Sequence, residues 1–148
     1  MTGSPVRRVR KEDMPRIYEI EKNSFSHPYP PRLIDLLFER NRQAFFVAEV
    51  DDRVVGYAVA AVEAHDVGHV ISVAVSSEMR RRGVGKALMR RLIQELKEIG
   101  VSVIRLEVEK DSIAAQKMYK GLGFEVTGVI KDYYESGGDA YVMTLSLG

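Results

Sequence analysis

The sequence contains no cysteine, which excludes disulfides, thiolate metal sites and a cysteine nucleophile. It has no excess of either charge: 22 Lys and Arg stand against 21 Asp and Glu, a net charge of +1. Any electrostatic preference must therefore come from local clustering. No apolar run approaches the ~18 residues of a membrane span. The N-terminus is charged from Arg7 onward and has no apolar stretch of the kind a secretory leader needs. A cytoplasmic protein without a membrane partner is expected. No internal repeat or low-complexity linker divides the 148 residues, so residues 1–148 are read as one domain. No aromatic lies between residues 58 and 118. With the balanced charge, that gap argues against nucleic-acid binding. It outweighs the basic runs Arg7-Arg8-Val9-Arg10-Lys11, Arg80-Arg81-Arg82 and Arg90-Arg91.

What is present is the composition of a globular protein, 45% hydrophobic and 29% charged. Residues 6–10 read as a short strand. Asp13 is a candidate N-cap for a helix through Ser24, with Pro15 in its first turn. A second helix is predicted over 31–40, with Leu33, Leu36, Leu37 and Phe38 at helical spacing. The β-branched and aromatic segments 44–50 and 54–63, separated by Asp51-Asp52-Arg53, predict a hairpin. Residues 69–75 predict another strand. From Gly83 to Ile99 the stripe Val84, Leu88, Leu92, Ile93, Leu96 and Ile99 predicts a helix closed by Gly100. A strand over 101–109 and a helix over 112–124 follow. The helix carries Ala115, Met118, Tyr119 and Leu122 on one side. Two last strands join through Ser136-Gly137-Gly138. The alternation of strands and helices implies an α/β (α+β) fold with a mixed sheet and helices on both faces. Ligands of such sheets sit at strand carboxyl ends and helix starts.

One such start is unusual. In Arg80-Arg81-Arg82-Gly83-Val84-Gly85-Lys86-Ala87, three like charges precede two glycines where a helix begins. The free N–H groups of the first turn and the positive end of the helix dipole make an anion site. Glycine at 83 and 85 leaves room for a phosphate, and Arg81, Arg82 and Lys86 add charge toward a diphosphate. A Walker A loop is excluded because Arg80 replaces its first glycine and Ala87 its hydroxyl. The dinucleotide fingerprint is excluded because Leu88 fills its third glycine position. His65 and His69 flank Gly68 at a strand entry rather than sharing a helical face, so no metal site is expected.

The remaining match, Arg80-x-x-Gly83-x-Gly85 directly after an apolar strand, resembles the coenzyme A loop of the GNAT acetyltransferase superfamily. "ISVAVSSEMRRRGVGKALM" is similar to that family's strand-loop-helix core, and "LEVEKDSIAAQKMYKGLGFE" to its second half. "FSHPYPPRLIDLLF" and "DYYESGGDAYVM" resemble the N-terminal loop and closing hairpin of protein N-terminal acetyltransferases. The branch resembled includes the ribosomal-protein alanine and archaeal N-terminal enzymes. The resemblance implies a GNAT fold with a mostly antiparallel central sheet, acetyl-CoA as co-substrate, and transfer to a protein or peptide N-terminus by direct attack in a ternary complex. A small amine as acceptor, or a CoA-binding module without catalysis, are the alternatives. The usual Asn of the family's Asn-x-x-Ala is Ser112 here, which can still cap a helix.

The same resemblance assigns roles. Arg80, Arg81, Arg82, Gly83, Val84, Gly85, Lys86 and Ser112 would hold the cofactor. Val73, Ala74 and Val75, on a strand splayed from its neighbour, would offer free amides to pantetheine and to the oxyanion. An α-amine has a pKa of about 7.7–8.0, so a modest base suffices. Glu107, between Leu106 and Val108, is the candidate: a carboxylate facing a partly dry cleft can accept a proton near neutrality. Alternation alone fits the polar face of a strand equally well, and the resemblance favours the base. Tyr119 is the candidate acid for the leaving thiolate, although a core tyrosine is the commoner case. Tyr29, fixed between Pro28 and Pro30, together with Glu63, Tyr133 and Tyr134, would surround the amine entrance. In relatives the positions of His69 and Glu107 can face each other, which would let His69 assist.

Overall fold

In the computed structural model, which describes residues 6–64, 66–134 and 137–148, the strand-forming segments pair into a seven-stranded sheet. Along the chain come β1 (Val6–Arg8), helices α1 (Met14–Ser24) and α2 (Pro31–Arg40), then β2 (Phe45–Val50), β3 (Arg53–Glu63) and β4 (Val67–Val75). Helix α3 (Val84–Glu98), β5 (Val103–Glu109), α4 (Ile113–Gly121), β6 (Glu125–Ile130) and β7 (Ala140–Ser146) complete it. The spatial order is β1-β2-β3-β4-β5-β7-β6. Among the described residues β4 and β5 are the one parallel pair, and α3 supplies the crossover that parallel neighbours require. The expected turn at Ser136-Gly137-Gly138 begins outside the described residues.

Strand alternation divides the core between two faces. Phe45, Val47, Tyr57 and Val59 face α1 and α2, packing on Ile17, Ile20 and Ile34. Phe46, Ala58 and Ile104 face α3 and α4, packing on Leu88, Leu92, Leu96 and Tyr119. β3 is covered on both sides, which explains its nearly unbroken apolar run.

Three packing expectations are corrected. On α2 the buried residue is Ile34, 2% exposed, which joins the core cluster with Leu37 and Phe38 packed against it, while Leu33 and Leu36 are exposed. On α3 the inward stripe includes Met89 and leaves Ile99, just past the helix end, exposed. Asp13 does not cap α1 with its side chain. Its carboxylate turns back to take Arg7 Nη1 at 2.8 Å and the Arg10 N–H at 2.7 Å.

The site depends on where β4 and β5 part. Their pairing is confined to Val67–His69 against Val103–Arg105. Beyond it β4 continues along β3 through Gly56–Val75, while β5 continues along β7. Residues 70–75 of β4 thus have no strand partner on their β5 side, leaving a wedge between the strands.

Candidate functional site

The wedge opens into a cleft of about 640 Å³ whose walls include Val73, Ala74, Val75, Ser24, Phe25 and Ser112. The unpaired side of β4 supplies backbone polar groups there, as a pantetheine-like chain requires. The α3 start stands at the end of β4. Gly83 precedes α3 at φ +81°, and a Cβ there would meet nothing within 4 Å. Glycine at this position serves a left-handed turn and leaves the approach to the first-turn amides of Val84, Gly85 and Lys86 open. Gly85 acts differently from expectation. Its missing Cβ points inward at Met118 Sδ (3.4 Å) and Val75 Cγ2 (3.6 Å), so its absence clears no outer space.

The arginines also divide. Arg80 turns back, donating through Nε to the Val75 carbonyl at 3.0 Å and reaching Ser24 Oγ at 3.5 Å. It braces the loop against β4 and α1. Arg81, at φ +66°, and Arg82 are exposed on the outer turn, with Lys86 half-buried beside them. Ser112 makes no side-chain cap to α4. Gln116 does the tying instead, donating Nε2 to the carbonyls of Glu109 and Lys110 at 3.1 and 2.8 Å. These features fit an acyl-CoA: unpaired amides for an amide-bearing chain, and an open helix start with exposed cations for its phosphates.

Beyond the mouth of the wedge, β5 carries Glu107. Its Oε1 lies 2.7 Å from His69 Nε2, and Arg105 Nε donates to its Oε2 at 3.3 Å. His69 Nδ1 lies 3.2 Å from Glu63 Oε2, and Arg105 donates to both Glu63 oxygens at 3.1 and 3.4 Å. Two carboxylates, one imidazole and one guanidinium therefore form a closed network. Both histidine contacts are N–H donations only when the ring is protonated, since a neutral imidazole has one N–H. Arg105 was missed in the sequence, although it is two residues from Glu107 on the same strand face. His65 lies outside the described residues. Among those described, no group of three or more acidic, histidine or cysteine side chains could hold a metal ion, and no helix is long and apolar enough to cross a membrane.

Three tyrosines from two connections converge on this network. Burial pushes the Tyr29 hydroxyl up, and the charges of Glu21 and Glu107 add to the shift. Burial and then Glu107 do the same to Tyr133. Tyr134 is raised by burial and then by Glu109, with Tyr133, Glu107 and Tyr29 also contributing. The Tyr133 and Tyr134 rings meet edge to face, 4.8 Å between centroids. The Tyr134 N–H to Gly138 carbonyl bond at 3.1 Å helps close their connection. Tyr119 lies on α4 against Phe124, 9% exposed, and burial pushes its hydroxyl up to about 12.

Comparison with known proteins follows the same lines. The Acetyltransferase (GNAT) family model matches residues 14–124. The chain is 35% identical over 139 residues to an uncharacterized N-acetyltransferase of Methanocaldococcus jannaschii, covering 93% of this chain and 88% of that one. It is 34% identical over 154 aligned positions to an N-alpha-acetyltransferase of Sulfurisphaera tokodaii, covering 96% and 92%. The crystal structure of Ard1 from Thermoplasma volcanium matches with a TM-score of 0.94 at 29% identity, covering 99% of each chain.

Proposed function

The chain belongs to the acetyltransferase (GNAT) family, and on that premise we propose that its acceptor is the α-amino group at the N-terminus of a protein or peptide. It is an N-acetyltransferase whose co-substrate, acetyl-CoA, supplies the acetyl group as an activated thioester. The observation that carries the acceptor assignment is the convergence of Tyr29, from the α1–α2 loop, and Tyr133 and Tyr134, from the β6–β7 connection, on Glu107. Aromatic walls from two sides suit one extended chain end entering toward a carboxylate. The N-alpha-acetyltransferase relative supports the same reading.

The residues then divide the work. Amides of Val73 and Val75, which point to the free side of β4, bind the pantetheine chain and face the polarised carbonyl oxygen, whereas Ala74, expected to join them, turns its backbone groups to Tyr57 on β3. The α3 start, with Arg81, Arg82 and Lys86, holds the diphosphate. Glu107 takes the amine proton at Oε1 or Oε2, and His69, 2.7 Å away, orients that carboxylate. Glu63, more open to solvent on the far side of His69, offers the proton a way out. Tyr119 holds its phenolic proton ready for the leaving sulfur.

A mass-spectrometric screen of a peptide library with acetyl-CoA tests the acceptor. Peptides starting with Ser or Ala should be acetylated on the α-amine, and spermidine and lysine side chains far less. Comparable kcat/KM for spermidine and such peptides would remove the N-terminal assignment and leave the acetyltransferase assignment standing.

A further inference from the structure

Glu21 is a carboxylic acid buried to 2% exposure near the end of α1, outside the network that contains Glu107. Burying such a group is costly unless its oxygens are satisfied by donors. Three donors satisfy it. The Tyr57 hydroxyl donates to Oε1, the Ser72 hydroxyl reaches the same oxygen at 3.1 Å, and the Tyr29 backbone N–H donates to Oε2 at 3.0 Å.

The origin of these donors matters. Tyr57 is on β3, paired with Ala74, and Ser72 immediately precedes Val73 on β4. Tyr29 stands in Pro28-Tyr29-Pro30-Pro31, where three of the four residues have no N–H. Tyr29 therefore has the one backbone donor of that run, and Glu21 receives it. The prolines restrict how the loop bends but leave its position against the sheet undetermined. The hydrogen bond from the Tyr29 N–H to a buried carboxyl group, itself fixed by β3 and β4, ties the loop to the sheet.

We propose that Glu21 is a positioning residue for the acceptor site, holding the Tyr29 wall of the peptide entrance in register with the β4 segment that receives the acetyl donor. This rests on the reading of Tyr29 as part of the acceptor entrance. Glu21 touches neither substrate. Its loss displaces Tyr29 and weakens the grip on the peptide, while the α3 start and the β4 amides remain for acetyl-CoA.

The test compares Glu21→Ala, Glu21→Gln and the control Glu95→Gln. Glu95 is also a buried carboxylate, paired with Arg8 at 2.6 Å and Arg91 at 3.3 Å on the opposite face of the sheet. Turnover of an Ala-initiated peptide by the wild-type protein is established first, so a failed acceptor assignment shows before any variant is made. Glu21→Ala is expected to raise peptide KM about tenfold or more, the loss of one buried hydrogen bond, with acetyl-CoA Kd within about twofold by the same reasoning. Glu21→Gln should return peptide KM to within about threefold of wild type. Its carbonyl can take the Tyr29 N–H while its amide donates to the Tyr57 and Ser72 hydroxyls, which rotate to accept. Glu95→Gln should lower Tm without changing peptide KM. Unchanged peptide KM in Glu21→Ala, or equal rises for peptide and acetyl-CoA, would overturn the proposal. Should the Ala variant not fold, hydrogen exchange of the wild-type Tyr29 amide decides. Slow exchange supports the anchor, and exchange at the rate of an unprotected loop amide defeats it.

Discussion

Nε2 of His69 stands 2.7 Å from Oε1 of Glu107, across 38 residues of chain. The contact follows from the short parallel ladder in which His69 pairs with Arg105, placing the next residue on that face of β5 within reach of the imidazole. Glu107→Gln keeps the shape and removes the proton-accepting charge. It is expected to lower kcat on a peptide amine by ~10²–10⁴, with acetyl-CoA affinity unchanged. His69→Gln, which removes an orienting partner, should cost about tenfold. Wild-type kcat for the Glu107 variant at saturating peptide would assign that carboxylate a structural role.

The outer turn before α3 is expected to govern cofactor affinity. Arg82→Ala should weaken acetyl-CoA binding by about 1.5–3 kcal/mol, the worth of a charge-assisted hydrogen bond. Gly83→Asp should weaken it further, because it brings a carboxylate to the phosphates and forces a side chain into φ +81°. Calorimetric titration measures both, and unchanged affinity in the pair would remove the phosphate-site assignment.

Tyr119 makes a pH prediction. Burial pushes its hydroxyl up to about 12, so it stays protonated throughout the working range. Tyr119→Phe is expected to lower kcat by ~10²–10⁴ if the phenol protonates the leaving sulfur. The wild-type kcat profile should show no alkaline loss near pH ~10 from this group, the value of a free phenol. An inflection there that disappears in Tyr119→Phe would contradict the buried environment.

Asp13 should make the fold acid-sensitive. Desolvation alone would raise its pKa, but hydrogen bonds from the Arg7 guanidinium and the Arg10 N–H outweigh it and leave the carboxyl below its ordinary value of 3.8. A folded-state pKa depressed below the unfolded one contributes stability that is present above the unfolded value and is lost as pH falls through the folded one. Asp13→Asn should therefore lower Tm at pH 7, by about 1–3 kcal/mol of stability for the broken pair. The difference from wild type should shrink below pH ~4. A gap that stays constant as pH falls below ~4 would show that the loss is not linked to this proton.

Elements built from local rules were legible in the chain. The α2 boundaries, the β2–β3 hairpin and the glycine-arginine turn depend on a few adjacent residues: Pro31 at a helix start, Asp51 and Asp52 at positive φ, Gly83 at φ +81°. Less legible was which face each helix turns inward. Leu33 and Ile34 are comparably apolar, and only the packing of α2 on the core buries Ile34 rather than Leu33. Glu21 could have been noticed, since it lies seven residues after Met14 and four after Ile17, on the stripe that meets the sheet. Composition rules place a glutamate outside by default, which hides it.

Family membership and the proposed cofactor loop rest on contiguous residues, because an anion site at a helix start needs only a strand end, a turn and free amides. The proposed acceptor site needs the fold. Glu63, His69, Arg105 and Glu107 come from three strands, and Tyr29 and Tyr133 from two distant connections. Their meeting depends on β-ladder register, and a slip of one residue would turn Glu107 to the opposite face of the sheet. No local spacing encodes that register. It is set by the two-sided burial of β3 and β4 and by the point at which β4 and β5 separate, and both are settled only when the whole core packs.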